Sequence, residues 1–251
     1  MWRMHSMVAH ENLIVDGIPV SQFALRERTS ESLPTIFLYH GWDSAKDNYV
    51  FEAEVLSLFG FRVIVTDAPL HGDRSVERNV QSDFWKVIIQ SVEEFKSLLD
   101  YAHLTWGVNA KTSALVGSSM GGFTVAGIFA NYPDVHCVVS INGSGAWEES
   151  EALFRRMDGR SPATDEELHL IRLFDPIRKI ARLPRRPILL QHGASDSIVP
   201  IDGQRKFYKE LLKNYVGNHT TLVEFQEVPR MNHYISIGMF EYVYKWVSEQ
   251  L

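Results

Sequence analysis

A serine hydroxyl is a weak nucleophile at neutral pH. It becomes a useful one where a neighbouring base takes its proton and a carboxylate orients that base. Residues 115–122, LVGSSMGG, offer a serine in such a setting: Gly117, Ser119 and Gly121 form the pattern G-x-S-x-G, an apolar run precedes it, and FTVAGIFA follows with helical spacing. A strand that turns sharply into a helix forces its central residue into a strained conformation, and small residues two positions to either side let adjacent backbone pass close. The hydroxyl then stands at a helix N-terminus, where the dipole and free amides favour the negative charge that an attacked ester carbonyl develops. Gly and Ser frequencies of about 7% make the bare pattern a chance event in roughly one chain in ten of this length. The strand before it and the helix after it are what mark Ser119 as candidate nucleophile, over a structural glycine turn and over Ser118 next door.

The base has two candidates downstream, His219 and His233. His219 lies in KNYVGNHTT ahead of the last apolar run, where a solvated loop is expected. His233 lies in VPRMNHYIS after that run and before the final helical stretch, so its loop can reach the serine. For the acid, PILLQ runs into HGASDSIVP and puts Asp196 at the carboxyl end of a strand, where open parallel sheets gather their functional residues. An Asx turn is the structural alternative for Asp196, and Asp202 is a rival that suits a helix cap. Two backbone N–H groups must meet the developing oxyanion. Met120 follows the serine and supplies one, and Trp42, in TIFLYHGWDS, supplies the other. His40, His71 and His192 read as loop braces.

These residues need elements to carry them. Short apolar, β-branched runs at 35–39, 62–66, 113–116, 135–141, 187–190 and 221–225 are bounded by Gly, Asp, Asn or Pro and predict buried strands. Phe84, Ile88, Val92, Phe95, Leu99 and Ala102 line one face of a long predicted helix between two of them. This alternation predicts an α/β protein with a mostly parallel sheet covered on both sides. Ahead of it, NLIVDGIPVSQFAL predicts a hairpin turning at Asp16-Gly17, and Phe240, Val243, Trp246 and Val247 predict a closing amphipathic helix. After the strand ending near Ile141, about 45 residues pass before the next, more than one crossover helix needs. Trp147–Met157 and Asp165–Phe174 suit short helices broken at Ser161-Pro162, so residues 147–173 are expected to form a small lid on a single domain spanning 1–251.

With 45% hydrophobic and 22% charged residues, the composition is that of an ordinary globular protein. A net charge of −6 leaves no basic surplus to neutralise phosphates, which argues against nucleic acid as partner. The single cysteine, Cys137, sits in an apolar run and reads as a buried thiol compatible with a reducing compartment. The first eleven residues lack the apolar core of a secretion signal, and no stretch approaches the roughly 18 apolar residues of a membrane span. The expectation is a cytoplasmic protein. Ten scattered histidines, with no HxH or HExxH, give no reason to expect a metal.

Together HGWDSAK, DAPLHGDRS, GSSMGG, HGASDSIVP and the late Asn232-His233 resemble the α/β-hydrolases related to dienelactone hydrolases and to the catalytic domains of prolyl oligopeptidases. Within that group the chain most resembles small bacterial carboxylesterases, from about Ile14 to the C-terminus. The resemblance implies Ser119, Asp196 and His233 as a triad with Trp42 and Met120 lending amides. It also implies an eight-stranded sheet with one antiparallel strand near its start. Dienelactone hydrolases carry a cysteine where this chain has Ser119, and prolyl oligopeptidases add a propeller domain, so neither specific activity carries over.

The expected chemistry is two-step acyl transfer on a small carboxylic ester, with no metal or organic cofactor. Trp147, Leu153, Phe154, Met157 and Leu173 suit an apolar wall for small or medium acyl groups, and Trp147, Phe154 and Met157 are the candidate substrate contacts. The same spacing also suits ordinary helix packing. An aminopeptidase or acyl thioesterase would use the same triad, and a non-catalytic ligand-binding protein could use the same scaffold.

Overall fold

The computed structural model describes residues 7–251. The expectation about the first eleven residues rests partly on residues 1–6, which lie outside the described residues.

Two strands, β1 (Val8–Val15) and β2 (Ile18–Leu25), form the expected hairpin. Asp16 and Gly17 have φ of 48° and 82°, the left-handed pair that a tight two-residue turn demands. The parallel strands are β3 (Thr35–Tyr39), β4 (Arg62–Thr66), β5 (Ser113–Ser118), β6 (Cys137–Ile141), β7 (Ile188–Gly193) and β8 (Val223–Val228). They assemble in the order β1-β2-β4-β3-β5-β6-β7-β8, with β2 antiparallel to both of its neighbours. The result is an eight-stranded, mostly parallel sheet of the α/β-hydrolase fold.

Helices α1 (Val50–Leu58) and α7 (Ile237–Gln250) cover one face. The other face carries α2 (Val80–Trp106), α3 (Met120–Asn131), α5 (Asp165–Phe174) and α6 (Ile201–Asn214), with α4 (Trp147–Met157) between them. The period of two divides the core: Ile36 and Leu38 point to the α1/α7 face, Phe37 and Tyr39 to the opposite face. Cys137 is buried in this packing, and burial pushes its thiol up to about 12. Among the described residues no helix is long and apolar enough to cross a membrane.

The chain leaves β3 for β4 through α1, then returns through α2 to β5 on the other side of β3. Connections therefore diverge between β3 and β5, and the segments after these two strands flank one crevice. In open parallel sheets such a divergence is where ligands bind.

The insertion after β6 contains the two expected helices. The side chain of Asp175 accepts the N–H groups of Trp147 and Glu148, at 2.9 and 3.0 Å, and so caps α4 from a distant loop. Burial raises the Asp175 carboxyl to about 6 despite these donors.

Candidate active site

Ser119 occupies the turn between β5 and α3 with φ 56° and ψ −124°, a conformation costly for any residue with a side chain. Two glycines make the turn possible. A Cβ on Gly121 would collide with the carbonyl oxygen of Tyr39 at the end of β3, and one on Gly117 would collide with the Gly121 carbonyl. The Ser119 N–H donates to the Ile141 carbonyl at 2.8 Å, tying the turn to β6 as well.

The structure brings Ser119, His233 and Asp196 together. Ser119 Oγ lies 2.8 Å from Nε2 of His233, and the ring's Nδ1 lies 2.7 Å from Oδ2 of Asp196. With Nδ1–H donating to the carboxylate, Nε2 is free to receive the serine proton. Asp196 Oδ1 accepts the N–H groups of Ile198 and Val199, each at 2.9 Å. His192 Nε2 lies 3.3 Å from Oδ2 and 2.9 Å from the Val199 carbonyl. Burial pushes the Asp196 carboxyl up, but hydrogen bonds from His192, His233 and the Val199 amide outweigh it. They hold the group below the usual carboxylate range.

Other polar side chains lock these loops. Asn232 Oδ1 accepts from the Ser197 and His233 N–H groups at 2.9 and 2.8 Å, joining the acid loop to the histidine loop. Asn142, held at φ 49°, accepts the Gly193 N–H at 3.0 Å and donates to the Tyr234 carbonyl at 3.1 Å. A Cβ on Gly193 would strike the Asn232 carbonyl, so its bareness lets the histidine loop close over β7.

His40 orients the segment after β3. Its Nδ1 lies 2.7 Å from the Gly41 carbonyl, and because peptide C=O and N–H point in opposite directions in the trans form, the Trp42 N–H faces away from this imidazole. Met120 opens α3, so its N–H has no acceptor within the helix. His71 is fully buried, its ring edge-on to Trp42 at 4.9 Å.

Ser119 and His233 open on a cavity of about 890 Å3. Trp42, Phe84, Trp85, Phe154 and Met157 give it an apolar wall, and Glu151, Asp158 and Arg160 a polar one. Phe84 packs edge-on to Phe154 at 5.6 Å between ring centres. Trp85 donates from Nε1 to Glu151 Oε2 at 2.8 Å, which keeps that buried carboxylate partnered.

Sequence reasoning placed Trp147 among the substrate contacts, and the structure corrects it. Trp147 is fully buried in the core, donates from Nε1 to the Ser144 carbonyl at 3.1 Å, and fills the space above Gly127. It stands in the first turn of α4, pointing inward, while Phe154 and Met157, two and three turns on, face the cavity. Leu153 and Leu173 do not line the cavity either. The rival histidine, His219, is exposed in the loop before β8, and Asp202 lies exposed in the first turn of α6, where it pairs with Arg205 and is not the cap.

Several lining residues escaped sequence reasoning: Tyr49, Phe84, Trp85, Asn142 and Glu151. The Asn142-Gly143 pair at the end of a predicted strand was the one local signal available. Phe84 was legible as a core position, and nothing local distinguishes a core aromatic from one that also borders a cavity.

Known proteins agree with this architecture. Esterase YjfP of Escherichia coli (strain K12) is 31% identical over 214 residues, 82% of this chain and 85% of that protein. The crystal structure of TT1662 from Thermus thermophilus superposes with a TM-score of 0.77 at 19% identity, covering 97% of this chain and 98% of that one. A cold-adapted esterase from an Arctic intertidal metagenomic library gives 0.71 at 16% identity, covering 99% and 97%. These two structures speak to the fold alone. The model of the prolyl oligopeptidase family matches residues 51–251, from the first turn of α1 to the last residue. With four-fifths of its length under that match, the chain belongs to the prolyl oligopeptidase family and is a serine hydrolase of the α/β-hydrolase superfamily.

Proposed function

We propose that this protein hydrolyses carboxylic esters through an acyl-enzyme on Ser119. The observation that carries the reading is the unbroken hydrogen-bond chain from Ser119 Oγ through His233 to Asp196, opening on the cavity. As Ser119 Oγ bonds to the ester carbonyl carbon, its proton passes to His233 Nε2, and Asp196 stabilises the imidazolium. The carbonyl oxygen gathers negative charge against the Trp42 and Met120 amides. Collapse breaks the bond to the alcohol oxygen, which leaves with the proton from Nε2. Water then adds to the acyl carbon, giving a proton to Nε2, and the acid departs as Ser119 recovers its own.

Phe84, Trp85 and Phe154 suit a small or medium acyl group, and the esterase name of the Escherichia coli relative supports an oxygen leaving group. The test is a panel of matched ester, amide and thioester substrates on the wild type and on Ser119→Ala, together with labelling by a fluorophosphonate. Ester turnover that leads the panel and vanishes with Ser119, along with labelling, is the expected result. Undiminished turnover in Ser119→Ala, or amides hydrolysed faster than esters, would overturn it.

A further inference from the structure

Tyr49 lies outside every motif that announces the triad, yet its hydroxyl is 2.7 Å from the hydroxyl of Ser118. The two residues are 69 positions apart and belong to the two segments that flank the crevice. Ser118 is the last residue of β5, next to Ser119 and two before Met120. Tyr49 ends the short helical turn that closes the segment begun by Gly41 and Trp42. Both side chains border the cavity. Each of the two hydroxyls can donate to the other, so the bond forms whichever supplies the proton.

Other ties on the 41–49 segment lead elsewhere. Lys46 donates its N–H to Asp67 at 2.8 Å and its ammonium to Asp73 at 2.8 Å, which anchors the segment to the loop after β4. His40 and Ala68 make the same connection. None of these three bonds sets the distance from this segment to the β5–α3 turn. An oxyanion hole works only when both donors sit about 2.7–3.1 Å from the place the oxyanion will occupy, so the separation of the two segments is a catalytic quantity.

We propose that Tyr49 is a positioning residue for the oxyanion hole, its hydroxyl bonded to Ser118 Oγ so that the Trp42 and Met120 amides are held at one fixed separation. The proposal rests on the acyl-transfer reading above. Burial raises the Tyr49 phenol, so the hydroxyl stays neutral and able to share a proton with Ser118.

Tyr49→Phe removes the hydroxyl and keeps the ring, while Ser118→Ala removes the partner and keeps the tyrosine. Each variant is expected to lower kcat about tenfold with KM moved less than about twofold, a fraction of the loss from deleting a donor outright. Each should weaken a trifluoromethyl ketone, which forms a tetrahedral adduct on Ser119, by the same factor as kcat/KM. In Tyr49→Phe/Ser118→Ala the losses should not multiply, because both substitutions break one bond. Melting temperatures are measured alongside, and Ser118→Ala carries the test by itself if Tyr49→Phe does not fold. Wild-type kcat and inhibitor affinity in the single variants, or losses that multiply in the double, overturn the proposal. Ser119→Ala separates the two ideas: if it is inactive while Tyr49→Phe behaves as wild type, only the role of Tyr49 falls. Turnover that survives Ser119→Ala removes both.

Discussion

Nε2 of His40 accepts the Ala68 N–H at 3.0 Å. That leaves the single proton of the neutral ring on Nδ1, where it is donated to the Gly41 carbonyl at 2.7 Å. A protonated ring would set an N–H against the Ala68 N–H, and burial already pushes this imidazole down to about 4. Between the ordinary histidine value near 6.5 and that lower one, the unfolded chain binds a proton that the folded one refuses. Stability therefore falls with falling pH across this window, by on the order of 3 kcal/mol in full. In thermal melts from about pH 7 to about pH 4.5, His40→Gln is expected to lose less than the wild type. An unchanged acid slope would rule out His40 as its source.

The Asp196 carboxyl receives His233 Nδ1–H and two backbone amides. Asp196→Asn keeps the shape but presents an NH2 group or a poorer acceptor to the imidazole, favouring the wrong tautomer. The expected loss is about four orders of magnitude in kcat with folding intact. Near-normal kcat in a folded Asp196→Asn, followed with a chromogenic short-chain ester, would mean that another carboxylate serves His233.

Gly121 lies so close to β3 that a methyl group would overlap the Tyr39 and His40 carbonyls, which are backbone and cannot swing away. Gly121→Ala is expected to cost about 1–3 kcal/mol or more by overpacking. It should also displace Ser119 from His233, so that fluorophosphonate labelling slows more than stability loss explains. Labelling at the wild-type rate would show that the turn relaxes without moving the serine.

Phe154 and Trp147 lie on one helix but face different surroundings. Phe154→Ala enlarges the cavity, and the expected outcome is a shift of kcat/KM toward longer acyl chains, on the scale of about 10–200-fold for a methylene-sized change. Trp147→Ala leaves a hole in the core and is expected to cost about 3–5 kcal/mol in denaturant unfolding. A chain-length series for both variants decides the matter. Equal shifts in specificity would return Trp147 to the cavity wall.

Much of the architecture was legible along the chain. The strand starts and ends come within two or three residues of the observed ones, and both helices of the insertion, Trp147–Met157 and Asp165–Phe174, agree at each end. Buried parallel strands are apolar runs that stop at turn residues, and amphipathic helices repeat every 3.6 residues, so local order writes itself into local sequence. Ser119, Asp196 and His233 were legible as candidates for a related reason: each follows a strand at its carboxyl end, and the parallel strands β5, β7 and β8 bring those ends to one edge of the sheet.

The set of elements and the chemical types at their ends can be read along the chain, because both depend on interactions within a few residues. The tertiary structure alone decided which side chains share a space. Tyr49 meets Ser118 across 69 residues, Asp175 caps a helix that begins 28 residues earlier, and Trp147 turns into the core while Phe154 faces the cavity. Those relations depend on how helices and loops pack over the sheet, and packing joins residues that carry no trace of one another in their own surroundings. The candidate nucleophile lies in a local motif, whereas the walls that would select a substrate are assembled from residues far apart in the chain.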